Sequence, residues 1–251
     1  MNQFTFVDEG FSGAPAMDIA VSHAILSAVS RGELGGVFRL HVPQPVVAFG
    51  RADRIMAGYP EAIRAAEAHG YAAVERLAGG RAAVFHQSTL AFSWAVPDPE
   101  PRAGIRDRFE LISTLMAEAF GSLGLDAHVG PIPGEYCYGD YSVNVAGLVK
   151  VMGVGQRLVR GAAHVGGVVV VDEGWRIRDV LIPIYRSLAL DWDPRTAGAL
   201  ADRAPGLTIE TATSAIIAAA ATRIDLVEGS IPQSVIADAA NMIDDHLPKV
   251  A

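Results

Sequence analysis

The strongest helical periodicity in the chain runs from Ile105 to Leu123. There Phe109, Ile112, Leu115, Met116, Ala119 and Phe120 recur at three- and four-residue spacing until Gly121 and Gly124 end the pattern. A second helix is predicted over Ala16 to Val29, with apolar Met17, Ile19, Ala20, Ala24, Leu26 and Ala28, and Pro15 at a first-turn position. Glu61 to His69 is helical by composition and stopped by Gly70. Between these helices lie β-type runs: Thr5 to Val7, Val37 to His41, Val46 to Phe49, Tyr71 to Glu75, Ala82 to His86 and Thr89 to Val96. The second and third read as a hairpin-like pair joined by a stiff loop through Pro43 and Pro45. Val143 to Val154 reads as a hairpin turning near Ala146-Gly147, and His164 to Val171 as a buried strand. Asp172 to Arg195 reads as a helix and connecting loop, and Thr208 to Val227 and Ser234 to Leu247 as helices. The pattern predicts an α/β (α+β) protein: one large domain with a mixed sheet flanked by helices, and a small helical C-terminal extension.

Composition narrows the classes. The hydrophobic fraction of 51% excludes a disordered chain. No run of about 18 apolar residues offers a membrane span. The start, MNQFTFVDEG, has no basic residue before an apolar run and does not read as a secretory leader. A single cysteine cannot form an internal disulfide, which fits a reducing cytoplasm. The net charge of -8 argues against bulk nucleic-acid binding, so an anionic partner has to meet a local patch: Arg51 and Arg54, Arg76 and Arg81, or Arg157 and Arg160.

Candidate chemistry gathers in Gly134 to Gly167, which holds the lone cysteine, Cys137, and one of only two lysines, Lys150. Elsewhere positive charge is almost all arginine, so an amine inside an apolar strand calls for a reason. The bland reading is a lysine at a hairpin start that snorkels to water. On strict alternation Lys150, Met152, Val154 and Gln156 share one face, unless a bulge at Gly153 or Gly155 shifts the register. Upstream, Gly79-Gly80 sits between strands and opens no helix, so neither a dinucleotide fingerprint nor a Walker loop is present. Such a turn still brings backbone N–H groups close to an anion or carbonyl. His86 has no second ligand at metal spacing, and no metal site is expected. Pro97 to Gly104 is a proline-rich loop and a candidate gate.

Three segments, FRLHVPQPVVAFGR, ERLAGGRAAVFHQSTLAFS and LVKVMGVGQ, resemble the biotin/lipoate ligase and octanoyltransferase superfamily over Met17 to Asp172. The resemblance implies a largely antiparallel central sheet, and a catalytic domain over residues 1–194 followed by an extension over 195–251. It implies an acyl pocket formed in part by Arg76, Gly79, Gly80 and His86, with Lys150, Gly153 and Gln156 on the lysine strand. Cys137-Tyr138-Gly139-Asp140-Tyr141 resembles the loop in which one branch carries its nucleophilic cysteine, departing from it by Tyr138 in place of proline. A thiolate attacks acyl carbonyls well and a neighbouring cation favours it, although a lone cysteine outside such a context is most often a small buried hydrophobe. The implied activity is transfer of an octanoyl or lipoyl group through a Cys137 thioester, assisted by Lys150, to a lysine of a lipoyl carrier domain, with no cofactor. Implied partners are acyl carrier protein or a lipoyl-domain protein, such as glycine cleavage H protein or a 2-oxoacid dehydrogenase E2. The alternatives are an ATP-dependent lipoate ligase needing ATP and Mg, with Cys137 incidental, and a non-catalytic carrier-domain binder.

Overall fold

The computed structural model describes residues 3–249; Met1 and Asn2, which open the segment read for a leader, lie outside them. The strands are β1 (Gln3–Val7), β2 (Gly36–His41), β3 (Val46–Phe49), β4 (Ala72–Glu75), β5 (Ala83–Phe85), β6 (Thr89–Pro97), β7 (Ala127–Val129), β8 (Val143–Val145), β9 (Val149–Val159), β10 (Ala162–Val170) and β11 (Asp225–Glu228). The helices are α1 (Met17–Ser30), α2 (Arg51–Arg54), α3 (Tyr59–Ala68), α4 (Ile105–Ser122), α5 (Gly174–Ser187), α6 (Ile209–Ala221) and α7 (Gln233–Met242). Eight strands form the main sheet in the order β11-β1-β2-β6-β10-β9-β8-β7, and three form a small sheet, β4-β3-β5. The two pairings of β1, with β11 and with β2, are parallel and the other pairings of the main sheet are antiparallel, so that sheet is mixed and largely antiparallel, as the resemblance implies.

Alternation along the central strands explains why helices cover both faces of the main sheet. Phe4, Phe38 and Trp94 join a core with α4 and α6, while Val7, Val37 and Ala95 join another with α1 and α7. Trp94 is the centre of the first core, its ring 4.5 Å from Phe4 and 5.2 Å from Phe38. The small sheet packs Val47, Phe49 and Val84 against α3 and α5. Its opposite face, with Val46, Ala48 and Phe85, turns toward α1 and the main sheet.

Two expectations change. The strands β2 and β3 do not pair: β2 lies between β1 and β6, and β3 between β4 and β5. Pro43 and Pro45 have no N–H for a ladder, and the segment carrying them crosses from one sheet to the other. The helix expected over Thr208 to Val227 ends at Ala221, and Asp225–Glu228 becomes an edge strand parallel to β1. A period of two in so short a run is invisible inside an Ala- and Ile-rich stretch. The chain after residue 194 therefore contributes a strand as well as helices, with α6 against α4 and α7 against α1. Among the described residues no helix is long and apolar enough to cross a membrane.

The cost of opening the Trp94 core is measurable. Trp94→Ala is expected to lower unfolding free energy by about 3–5 kcal/mol, while Ile55→Ala, at an 82% exposed residue, should stay within about 0.5 kcal/mol of the parent. Urea unfolding of the two variants checks this, and equal losses would mean that the aromatic cluster is not a centre of stability.

Candidate active site

The site begins with the hairpin. Ala146 and Gly147 both take left-handed φ, 56° and 66°, in a tight turn closed by the Leu148 N–H on the Val145 carbonyl at 3.0 Å. Just past it the register of β8 on β9 shifts: Val145 faces Val149 and Asn144 faces Lys150, but Val143 faces Met152, which leaves Val151 as an extra residue. The bulge changes which side chains share a face. Met152 and Val154 pack into the core with α4, whereas Lys150 lies on the side of Gly153, whose added Cβ would stand 3.5 Å from Lys150 Cε. The alternation expected for Lys150, Met152, Val154 and Gln156 is therefore broken between Lys150 and Met152, upstream of both glycines.

Lys150 is 1% exposed and gives each of its three ammonium hydrogens an acceptor. Nζ donates to Glu135 Oε1 at 2.8 Å, to the Tyr136 carbonyl at 2.9 Å and to the Cys137 carbonyl at 2.8 Å. It also stands 4.9 Å from the centre of the Tyr136 ring. Glu135 is itself satisfied, accepting from the Ser142 hydroxyl at 2.6 Å and the Ile132 N–H at 3.0 Å. Sequence reasoning missed Glu135; an acidic residue two before the cysteine, in a segment with one buried cation, was the available signal.

This network pulls three consecutive residues toward one point, and Cys137 adopts a left-handed φ of 44°, a costly conformation for a residue with a Cβ. Its half-buried thiol faces a cleft of about 460 Å³ between the two sheets. Lys150 does not hydrogen-bond Sγ. The partner of Sγ is the backbone N–H of Arg81 at 3.1 Å, with Arg76 Nη1 at 4.0 Å. The Gly79-Gly80 turn makes that approach possible. Gly80 has φ +120°, and a Cβ there would stand 2.7 Å from Arg76 Nη1 and 3.1 Å from Sγ. On β9, a Cβ on Gly155 would come within 2.7 Å of the Gly79 carbonyl, so only glycine lets the loop lie on the strand.

Further contacts hold the loop from outside. Arg76 Nη1 donates to the Arg81 carbonyl at 3.0 Å, and Arg81 Nη1 reaches Asp53 Oδ1 at 3.2 Å. Asp53 is fully buried and accepts the Gly50 N–H at 2.8 Å. Burial pushes its carboxyl above the usual carboxylate range, against the pull of Gly50 and Arg81. Gln156 lines the cleft and braces its wall: its Oε1 accepts from Arg108 Nε at 3.0 Å and its Nε2 donates to the Ile105 carbonyl at 2.7 Å. Arg108 also binds Asp98 and the Pro101 carbonyl, which pins the proline-rich loop.

Thus Cys137, Lys150, Arg76, Gly79, Gly80, Gly153 and Gln156 meet at one cleft. His86 does not join them. Phe85 ends β5 with its side chain lining the cleft, so the next residue turns the other way. His86 is fully buried, with Nδ1 accepting the Ser88 N–H at 3.2 Å. Burial pushes its imidazole down to about 4. No group of three or more potential metal ligands occurs among the described residues.

A family model described as the lipoyl protein ligase A/B catalytic domain matches residues 14–182. A Geobacillus kaustophilus protein named octanoyl-[GcvH]:protein N-octanoyltransferase is 34% identical over 146 residues, 58% of this chain and 51% of the relative. A Staphylococcus epidermidis protein named octanoyltransferase LipM is 30% identical over 128 residues, 50% of this chain and 45% of the relative. The matches thus span about half the length of these relatives. In fold, the chain is similar to an ATP-bound lipoate-protein ligase A, with a TM-score of 0.76 and 18% identity over 97% of this chain and 95% of that one. It is also similar to a lipoic-acid-bound lipoate protein ligase homologue of T. acidophilum, with a TM-score of 0.75, 17% identity, and coverage of 98% and 95%.

Two expectations follow from the geometry. Glu135→Ala strands a buried cation and should cost about 3–5 kcal/mol, whereas Glu135→Leu combined with Lys150→Met should recover much of that loss; a double variant no more stable than the single would refute the coupling. In acid, the folded His86 imidazole protonates only near 4 whereas an unfolded one does so near 6.5. The unfolded chain then binds more protons, and stability falls as pH drops from about 6.5 towards 4, by about 3 kcal/mol for this residue. Urea midpoints should follow that trend and flatten in His86→Gln; an unchanged slope in the variant would exclude His86 as its source.

Proposed function

Because the chain belongs to the lipoyl protein ligase A/B catalytic domain family, we propose that it is an acyltransferase that passes an octanoyl or lipoyl group through a thioester on Cys137. The observation that carries the reading is the thiol itself, held at a strained backbone position, facing the cleft, with the Arg81 N–H on its sulfur. The Arg81 N–H fixes the direction of the sulfur, and a cysteine sulfur is an effective nucleophile toward acyl carbonyls.

In the first half-reaction Sγ attacks the acyl carbonyl of the donor. A C–S bond to Cys137 forms, and the bond from the acyl carbon to the donor's sulfur or lysine nitrogen breaks, with that leaving group taking a proton. In the second, the neutral amine of an acceptor lysine attacks the thioester, an amide forms, the C–S bond breaks and the amine loses its proton. Lys150 acts here by holding the carbonyls of residues 136 and 137, and so the direction of the thiol. The name octanoyl-[GcvH]:protein N-octanoyltransferase, borne by one relative, favours octanoylated GcvH as donor and a second protein as acceptor; the sequence resemblance adds a lipoyl domain as that acceptor and octanoyl-acyl carrier protein as the other donor class. No cofactor is required by this route, and a reducing compartment keeps the thiol free.

Intact-protein mass spectrometry after incubation with octanoyl-acyl carrier protein or octanoyl-GcvH tests the proposal. One octanoyl adduct is expected on the parent protein and none on Cys137→Ala, with transfer to a lipoyl domain reduced at least a hundredfold in the variant. Absence of adduct on both proteins, with lipoyl transfer that depends on ATP and survives Cys137→Ala, would replace this reading with the ATP-dependent ligase.

A further inference from the structure

The second half-reaction brings an alkylammonium into a cleft lined by two cations, Lys150 and Arg76. Glu135, which does not line the cleft, neutralises Lys150, and Arg76 makes no ion pair among the described residues. A lysine side chain arriving from another protein therefore needs a negative group to meet it. Among the described residues one carboxylate lines the cleft, that of Asp140, three residues after Cys137.

The loop holds this carboxylate from both sides. The Ser142 N–H closes a turn on the Gly139 carbonyl at 3.0 Å, and the Ser142 hydroxyl is tied to Glu135. Tyr141 is fixed to α4: its carbonyl accepts from the Ser113 hydroxyl at 2.8 Å, and its ring stacks on Phe109 with centroids 4.8 Å apart. The Tyr138 hydroxyl donates to Asp140 Oδ1 at 3.2 Å, and that bond raises the phenol above its usual range, which keeps it protonated as a donor. Asp140 Oδ2 has no hydrogen bond, and the exposed carboxylate no ion pair, among the described residues. One oxygen is thus oriented and the other open to a cation. Tyr138, Tyr141 and Phe109 line the same cleft and offer aromatic surface to the methylene stem of a lysine.

We propose that Asp140 seats the ε-ammonium of the acceptor lysine beside the Cys137 thioester, and so selects a protein amine as the nucleophile. The inference rests on the acyl-transfer reading for the thioester and deepens it by giving the acceptor its place. A carboxylate is far too weak a base to keep a proton taken from an alkylamine, so Asp140 gathers and orients the amine. Of the ammonium's three hydrogens, one stays on the new amide nitrogen, one returns to the Cys137 sulfur and one leaves to water. An amide donor reverses these steps, and a lysine leaving octanoyl-GcvH occupies the same seat.

The test loads Cys137 from octanoyl-N-acetylcysteamine, which carries no amine, and discharges the isolated acyl-enzyme to a lipoyl domain or to hydroxylamine. Hydroxylamine is uncharged at neutral pH and needs no counter-ion. Asp140→Asn is expected to slow discharge to the lipoyl domain about fivefold relative to hydroxylamine, the upper range for an exposed ion pair, and Asp140→Glu to restore most of the ratio. Labelling by octanoyl-GcvH should fall by a similar factor relative to labelling by octanoyl-N-acetylcysteamine. Unchanged ratios would overturn the inference and leave the thioester route standing. Should no thioester form, isothermal titration calorimetry compares a lipoyl domain with its counterpart in which the acceptor lysine is glutamine. The lysine form is expected to bind about threefold tighter, and Asp140→Asn to remove the preference. That result without any labelling would support the seat and count against the transfer reading, whereas a preference that is absent or survives Asp140→Asn would overturn the seat.

Discussion

A cation removed from water is tolerable only if each of its N–H groups finds an acceptor, and that demand from Lys150 shapes the centre of this molecule. The side chain is shielded by the hairpin and by Tyr136, so the acceptors have to come from the protein. One is the carboxylate of Glu135, and the others are two successive carbonyls of the same loop. Meeting all three fixes residues 135–137 and forces the third into a left-handed backbone. An arginine would not serve: its planar fork suits a carboxylate edge, while three acceptors converging on one point suit an ammonium. That geometry accounts for an amine at position 150 in a chain whose other cations are nearly all arginine.

The division of labour at the thiol follows from that arrangement. Lys150 spends its hydrogen bonds on the loop that carries Cys137, and the sulfur is met instead by the loop after β4, through the Arg81 N–H. Two loops from different sheets thus converge, one setting where the thiol stands and the other setting its electrostatic surroundings. Their meeting depends on backbone surfaces without side chains: Gly155 under the Gly79 carbonyl, and Gly80 beside both Arg76 and Sγ. Asp53 extends the support outward, since its carboxylate ties Arg81 to the start of α2.

Much of this was legible in the sequence because it is local. The periodicity of α4, the Ala146-Gly147 turn and the glycine pair between strands are each decided by a few adjacent residues, and the structure has them where the pattern puts them. What was not legible depends on non-local partners. A β-type run announces a strand without naming its neighbour, so β2 and β3 read as a pair although they belong to different sheets. The bulge at Val151 is a mismatch between two strands and leaves no mark on either alone. Glu135 matters only because Lys150 is buried beside it, and His86 faces away from the cleft because Phe85, the residue before it, faces into it.

The cleft that holds the thiol and the smaller space lined by His41 and His164 share a wall at Arg76, Phe85 and Gly167. Arg76 stands at the junction, its guanidinium near Sγ and its side chain bordering both spaces. Changes at Glu135 or Lys150 release the backbone on which the sulfur is mounted, and neither residue lines the smaller space.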